Sequence, residues 1–129
     1  MIKFRCDKIS RDNTLARMAA ADVIMHYKIL TGIELNQALK NKLIEEAHEV
    51  VTAENRTELI SELADTLEVL EALCQSHNIS QAELLTVKNS IKTQRGGFER
   101  GVFMEYIEMA EDNPWVAHFR KSPEKYPEF

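Results

Sequence analysis

A chain of 129 residues, 44% hydrophobic and 29% charged, has the size and composition of one ordinary globular domain with a core of its own, spanning residues 1–129. Its net charge of -5 comes from acids and bases interleaved along the chain, which argues against a basic face built for nucleic acid. No apolar run reaches membrane-span length and the opening MIKFRCDKIS lacks the apolar centre of a signal peptide, so no membrane partner and a cytoplasmic location are expected.

In chain order, VIMHYKIL (23–30) is β-branched and aromatic enough to predict a short strand. Three helix starts follow. Thr31 with Glu34, Asn55 with Glu58 and Ser80 with Glu83 each pair an N-cap residue with an acid three positions on. They predict helices from about 32 to Glu54, 56 to Ser76 and 81 to Gln94, the last ended by Gly96 and Gly97. VFMEYI (102–107) reads as a second short strand. The tail, 110–129, carries Pro114, Pro123 and Pro127 and is expected to be irregular, with one helical turn around Trp115 to Phe119. The fold class is therefore mainly α: an antiparallel helical hairpin plus a third helix, with minor short β strands. Cys6 and Cys74 have no metal-ligand spacing, and no disulfide is expected between them.

The informative anomaly lies in LIEEAHEVV and LISELADTL. At about 100° per residue, the first long helix gathers Leu35, Leu39, Leu43, Val50 and Ala53 on one stripe, and Glu46 falls inside it. Glu49 sits on the edge of that stripe, with Glu45 beyond it. On the second helix Leu59, Leu63, Thr66, Val69, Leu70 and Leu73 form the stripe, Glu62 lies within it and Asp65 takes the edge. In a hairpin turning near Asn55, residue 46 faces 65 and 49 faces 62, so four carboxylates converge at one level. Uncompensated, such charges cost several kcal/mol each. Pairing with Lys42, Arg56 or a partner chain is the structural alternative. A divalent cation held by oxygen ligands accounts better for acids that match in both angle and height, and an all-carboxylate set suits Mg²⁺, with Mn²⁺ possible, over Zn²⁺. Glu45 and His48 also make an E-x-x-H pair, but a di-iron centre needs a second such pair and the second helix offers only Glu62-Leu-Ala-Asp65.

The spacing E-E-x-x-E, twelve residues, E-x-x-D resembles the all-α nucleoside triphosphate pyrophosphohydrolases, which include MazG-like enzymes and phosphoribosyl-ATP pyrophosphohydrolase. KFRCDKIS, LADTLEVLEAL, HNIS, QRGGFERGVF and KYPEF look like the house-cleaning branch that acts on non-standard nucleotides. The resemblance implies hydrolysis between the α- and β-phosphates of a nucleoside triphosphate, with phosphoribosyl-ATP as the alternative substrate. It implies Mg²⁺ on Glu46, Glu49, Glu62 and Asp65, and it leaves Glu45 to orient or deprotonate the attacking water. Asp7 and Lys8 align with the family's N-terminal pattern, whereas Arg5 stands one position away from its usual place. Lys92, Arg95, Gly96 and Gly97 offer cations and approachable backbone N–H groups to a leaving pyrophosphate. A thin core of one hairpin and one helix leads to the expectation of a homodimer. A helical module that binds a protein partner is the rival from another class.

Overall fold

The computed structural model describes residues 1–129, and its regular elements are all helices, with no strand. Its helices are α1 (Thr14–Ala20), α2 (Gly32–Thr52), α3 (Arg56–Ser76), α4 (Gln81–Arg95) and α5 (Trp115–Arg120). The chain forms two compact units, Met1–Gln94 and Arg95–Phe129.

In the first unit, α2 and α3 make the antiparallel hairpin, joined through residues 53–55, and they pack on each other more extensively than any other pair of helices. Local chemistry fixes the turn. Asn55 is extended and its side-chain oxygen accepts from the Glu58 backbone N–H at 2.9 Å. Glu58 reaches back to accept from the Glu54 N–H, also at 2.9 Å, so two otherwise unpaired donors are satisfied across the turn. Ser80 caps α4 in the same way, accepting from the Glu83 N–H at 3.1 Å. Thr31 precedes α2 with extended backbone but makes no side-chain cap. Helix α3 ends where Asn78 enters the left-handed region at φ 55, with the Ile79 N–H bonded to the Cys74 carbonyl at 2.8 Å.

Two corrections follow from the backbone. The segments 23–30 and 102–107 form no strands. Each lies in a different unit, and a lone extended segment without a second one beside it in its unit has nothing to ladder with. Helix α1 was not expected: TLARMAA is too short to show a helical period, and it is closed by Asp22 in the left-handed region with the Val23 N–H on the Met18 carbonyl at 2.9 Å. In the second unit, Asn113 accepts from the Trp115 N–H at 2.9 Å and starts α5, whose Phe119 meets Tyr126 edge-on at 4.9 Å.

The stripe expected on α2 is the face that packs: Leu39 and Glu46 are buried and Leu35, Leu43, Val50 and Ala53 are half-buried. On α3 the packed face is turned from the expected one. Glu62, Asp65, Thr66, Val69, Ala72 and Leu73 are buried or half-buried, while Leu59, Leu63, Leu67 and Leu70 keep 39 to 57% of their surface exposed. Those leucines lie roughly 100° round the helix from Glu62, so α3 carries a second apolar face that the hairpin itself does not cover. Burial of apolar side chains holds α2 to α3, but capping holds the register. Asn55→Ala should therefore cost about 1 kcal/mol in a denaturant titration, whereas Thr31→Ala should change stability by less than about 0.5 kcal/mol. Equal costs would show that the observed caps do not set the helix starts.

Candidate metal centre

Glu46 and the pair Glu62 and Asp65 project from facing positions on α2 and α3, and one oxygen from each lies within 4.8 Å of the other two. Glu46 is only 6% exposed; Glu62 and Asp65 are half-buried. Glu49, one turn beyond Glu46, is exposed and stands outside this trio, although its charge is felt at Glu62. The register expected from the hairpin is therefore realised around Glu46, with Glu49 at the rim.

Three cations answer the acids. Lys42, one helical turn before Glu46, donates to Glu46 at 3.1 Å and to Glu45 at 3.2 Å. Lys8 donates to the same Glu45 oxygen at 3.0 Å, and Arg11 donates to Asp65 at 2.7 Å. Burial pushes the Lys42 ammonium down, but hydrogen bonds to Glu46 and Glu45 outweigh it and hold the group above its ordinary value. Glu45 is the mirror case: burial pushes it up, while the hydrogen bonds from Lys8 and Lys42 bring it below the ordinary carboxylate range. Such an anion is a weak proton acceptor and a good fixed dipole, which favours orienting a water over deprotonating one.

Glu62 has no cation. Desolvation, a hydrogen bond shared with Glu46 and the charges of Glu46, Asp65 and Glu49 all raise it above its ordinary value of 4.5. Five carboxylates thus share three cationic side chains, and two negative charges stay uncompensated. An octahedral Mg²⁺ at about 2.1 Å from its ligands sets neighbouring oxygens roughly 3 Å apart and opposite ones roughly 4.2 Å apart. The trio is all oxygen and within 4.8 Å, near that spacing, and two positive charges match the deficit.

The model for the phosphoribosyl-ATP pyrophosphohydrolase family matches residues 15–90, more than half of the chain and all five acids. The chain belongs to the phosphoribosyl-ATP pyrophosphohydrolase family. No curated protein and no solved structure matches it. Membership makes this an enzyme of the pyrophosphohydrolase class acting on a nucleotide, and the acidic hairpin is the part of the family fold that can hold a divalent cation. No helix is long and apolar enough to cross a membrane.

The remaining residues expected at the site are distributed unevenly. Lys8 reaches the acids, while Asp7, at φ 46, pairs with Arg5 at 3.8 Å in the exposed N-terminal segment. Lys92 is exposed on α4. Arg95 ends α4, and Gly96 at φ 81 and Gly97 follow it in the second unit. Gly96 takes the left-handed backbone expected of a residue just past a helix end. Arg11 was missed from sequence, because DKISRDN has no period that points its side chains anywhere. Lys42 was legible only as the structural alternative to a metal, and here it does pair with two of the acids.

The sign of the Glu62 shift makes a prediction. A carboxyl raised on folding favours the folded state when protonated, so its ionisation destabilises the cation-free protein as pH rises from about 4.5 through the folded value, and nothing is lost below. Without divalent cation, Glu62→Gln should melt higher than the parent at pH 7 and at nearly the same temperature at pH 4. Mg²⁺ should raise the parent's melting temperature and leave the variant's almost unmoved. A parent that melts identically with Mg²⁺ and with chelator would refute a preformed centre.

Proposed function

We propose that the protein is a Mg²⁺-dependent pyrophosphohydrolase that cleaves a nucleoside triphosphate, preferably a non-standard one, between its α- and β-phosphates. The products are a nucleoside monophosphate and pyrophosphate. The observation that carries this reading is the convergence of Glu46, Glu62 and Asp65 within 4.8 Å on two packed helices of a pyrophosphohydrolase-family chain. Glu46, Glu62 and Asp65 hold the cation, with Glu49 joining them from the rim; Mn²⁺ suits the same oxygens. Bound there, the cation neutralises charge on the phosphate oxygens and acidifies water.

The protein's own part is positioning. Glu45, kept ionised by Lys8 and Lys42, accepts a hydrogen bond from the attacking water and aligns it with the α-phosphorus. Lys42 holds both Glu45 and Glu46 at fixed spacing, so the water and the cation ligands keep one geometry. Lys92 on α4 contributes positive charge toward the polyphosphate. A nucleotide substrate and the lack of any membrane-crossing helix fit a cytoplasmic enzyme.

Phosphoribosyl-ATP is the second reading, favoured by the description of the matched family. The segments that resemble the house-cleaning branch, KFRCDKIS, QRGGFERGVF and KYPEF, lie outside the matched residues 15–90 and favour the first. The same cleavage serves both substrates. With Mg²⁺, pyrophosphate release should be seen from one member of a panel of standard, deaminated and oxidised triphosphates and phosphoribosyl-ATP, and ¹⁸O from labelled water should enter the monophosphate alone. Glu62→Gln and Asp65→Asn should each lower the rate by more than about 100-fold with the helical signal intact, exceeding the usual cost of losing a residue behind a ligand. Label in pyrophosphate would overturn the reaction. Variants at the parent rate would place the chemistry elsewhere, and no release from any nucleotide would favour a protein-binding module.

The uncovered face of α3 bears on assembly. Leu59, Leu63, Leu67 and Leu70 form an apolar row beside a cavity of about 470 Å³ lined by Leu70, Leu73, Cys74 and Leu84, and neither includes any of the acids. A second hairpin laid on that row completes a four-helix arrangement, and a second copy of this chain is the nearest source. Light scattering at micromolar concentration should give about twice 14.8 kDa. A fully active monomer would contradict the homodimer.

A further inference from the structure

We infer that Arg11 is a polyphosphate-binding residue that is parked on Asp65 until a divalent cation displaces it; this rests on the metal-centre reading above. Arg11 lies outside any helix, in the segment just before α1, and its guanidinium is the only cation that touches Asp65. The contact is short, at 2.7 Å, yet both side chains remain accessible, the arginine at 60% and the aspartate at 37%. A buried pair at that distance would be a structural fixture. An accessible one is worth little and exchanges readily.

The contact also engages a carboxylate that the cation needs. Asp65 Oδ1 bonds to Arg11 Nη2, and Asp65 is one of the three acids whose oxygens converge. Guanidinium and divalent cation thus compete for one carboxylate. Lys42 is placed differently: it sits inside the hairpin with 19% of its side chain exposed and bridges two acids, so it stays when the cation binds. Arg11 follows Lys8 by three residues in the chain, and Lys8 remains anchored to Glu45. The freed guanidinium is therefore held at the mouth of the acidic centre, where the phosphates of a cation-bound nucleotide must arrive. Its planar fork suits two oxygens of one phosphate better than the single carboxylate oxygen it leaves.

The exchange predicts opposite changes for two ligands of one variant. Calorimetric titration of Arg11→Gln should show Mg²⁺ binding tightened about two- to fivefold, the scale of an exposed ion pair removed as competitor. Binding of inorganic triphosphate in saturating Mg²⁺ should weaken about tenfold or more, the scale of a lost charged hydrogen bond. Arg5→Gln removes the same charge from the same segment but touches only Asp7, and should change neither affinity by more than twofold. A Mg²⁺ affinity that does not rise in Arg11→Gln, a rise that Arg5→Gln matches, or an unweakened triphosphate would each overturn the inference. Asp65→Asn separates this from the underlying reading: if it binds Mg²⁺ as tightly as the parent, the metal centre itself is wrong, whereas weakened Mg²⁺ binding there with an unaffected Arg11→Gln removes only the exchange.

Discussion

The repulsion among Glu46, Glu62 and Asp65 is the constraint on which the rest of the molecule depends. Three carboxylates whose oxygens lie within 4.8 Å, one of them nearly buried, would drive α2 and α3 apart if nothing opposed them. Leu39 and Val69, the buried hydrophobic residues of the hairpin, hold the helices together, and Lys42 and Arg11 supply countercharge. The balance is incomplete at Glu62, whose raised affinity for a proton records the deficit. A protein with no use for that cluster would be more stable with leucine in place of any one of the three.

The acids are mounted on two packed helices, with no loop contributing, and under the proposed function that rigidity is what the cluster needs. Asn55 and Glu58 fix the start of α3 against the end of α2, so the axial match between position 46 and positions 62 and 65 does not slip. Phosphoryl transfer asks little covalent chemistry of a protein and much positioning of charge and water. Under the proposed function, Glu45, held between Lys8 and Lys42 next to the acidic trio, takes up that positioning task. The family match spans the hairpin and the first two-thirds of α4.

Much of this was legible in the sequence because it rests on short-range rules. The caps at Asn55 and Ser80 gave starts for α3 and α4 that the structure keeps, and equal turns from Asn55 set Glu46 near Glu62 and Asp65 but left Glu49 at the rim. What was not legible depends on partners distant in the chain. The β-branched segment 23–30 has the composition of a strand, yet pairing is a property of two segments and composition describes one. Helix α3 carries apolar residues on two faces, and a hydrophobic stripe drawn from sequence averaged them, so it placed Glu62 correctly within the packed face but put Leu59, Leu63 and Leu70 there too, where they stay exposed. Arg11 comes to Asp65 across 54 residues from an irregular segment, where no periodicity directs a side chain.

The claim at the centre is that this acidic trio exists to hold one divalent cation. Crystals grown with Mn²⁺ and measured at the manganese absorption edge test it without reference to any substrate. The account predicts an anomalous peak bounded by Glu46, Glu62 and Asp65, with Arg11 moved off Asp65 and Lys42 still on Glu46. A map with no peak there, and the three carboxylates still shared among Lys42, Arg11 and a protonated Glu62, would contradict it.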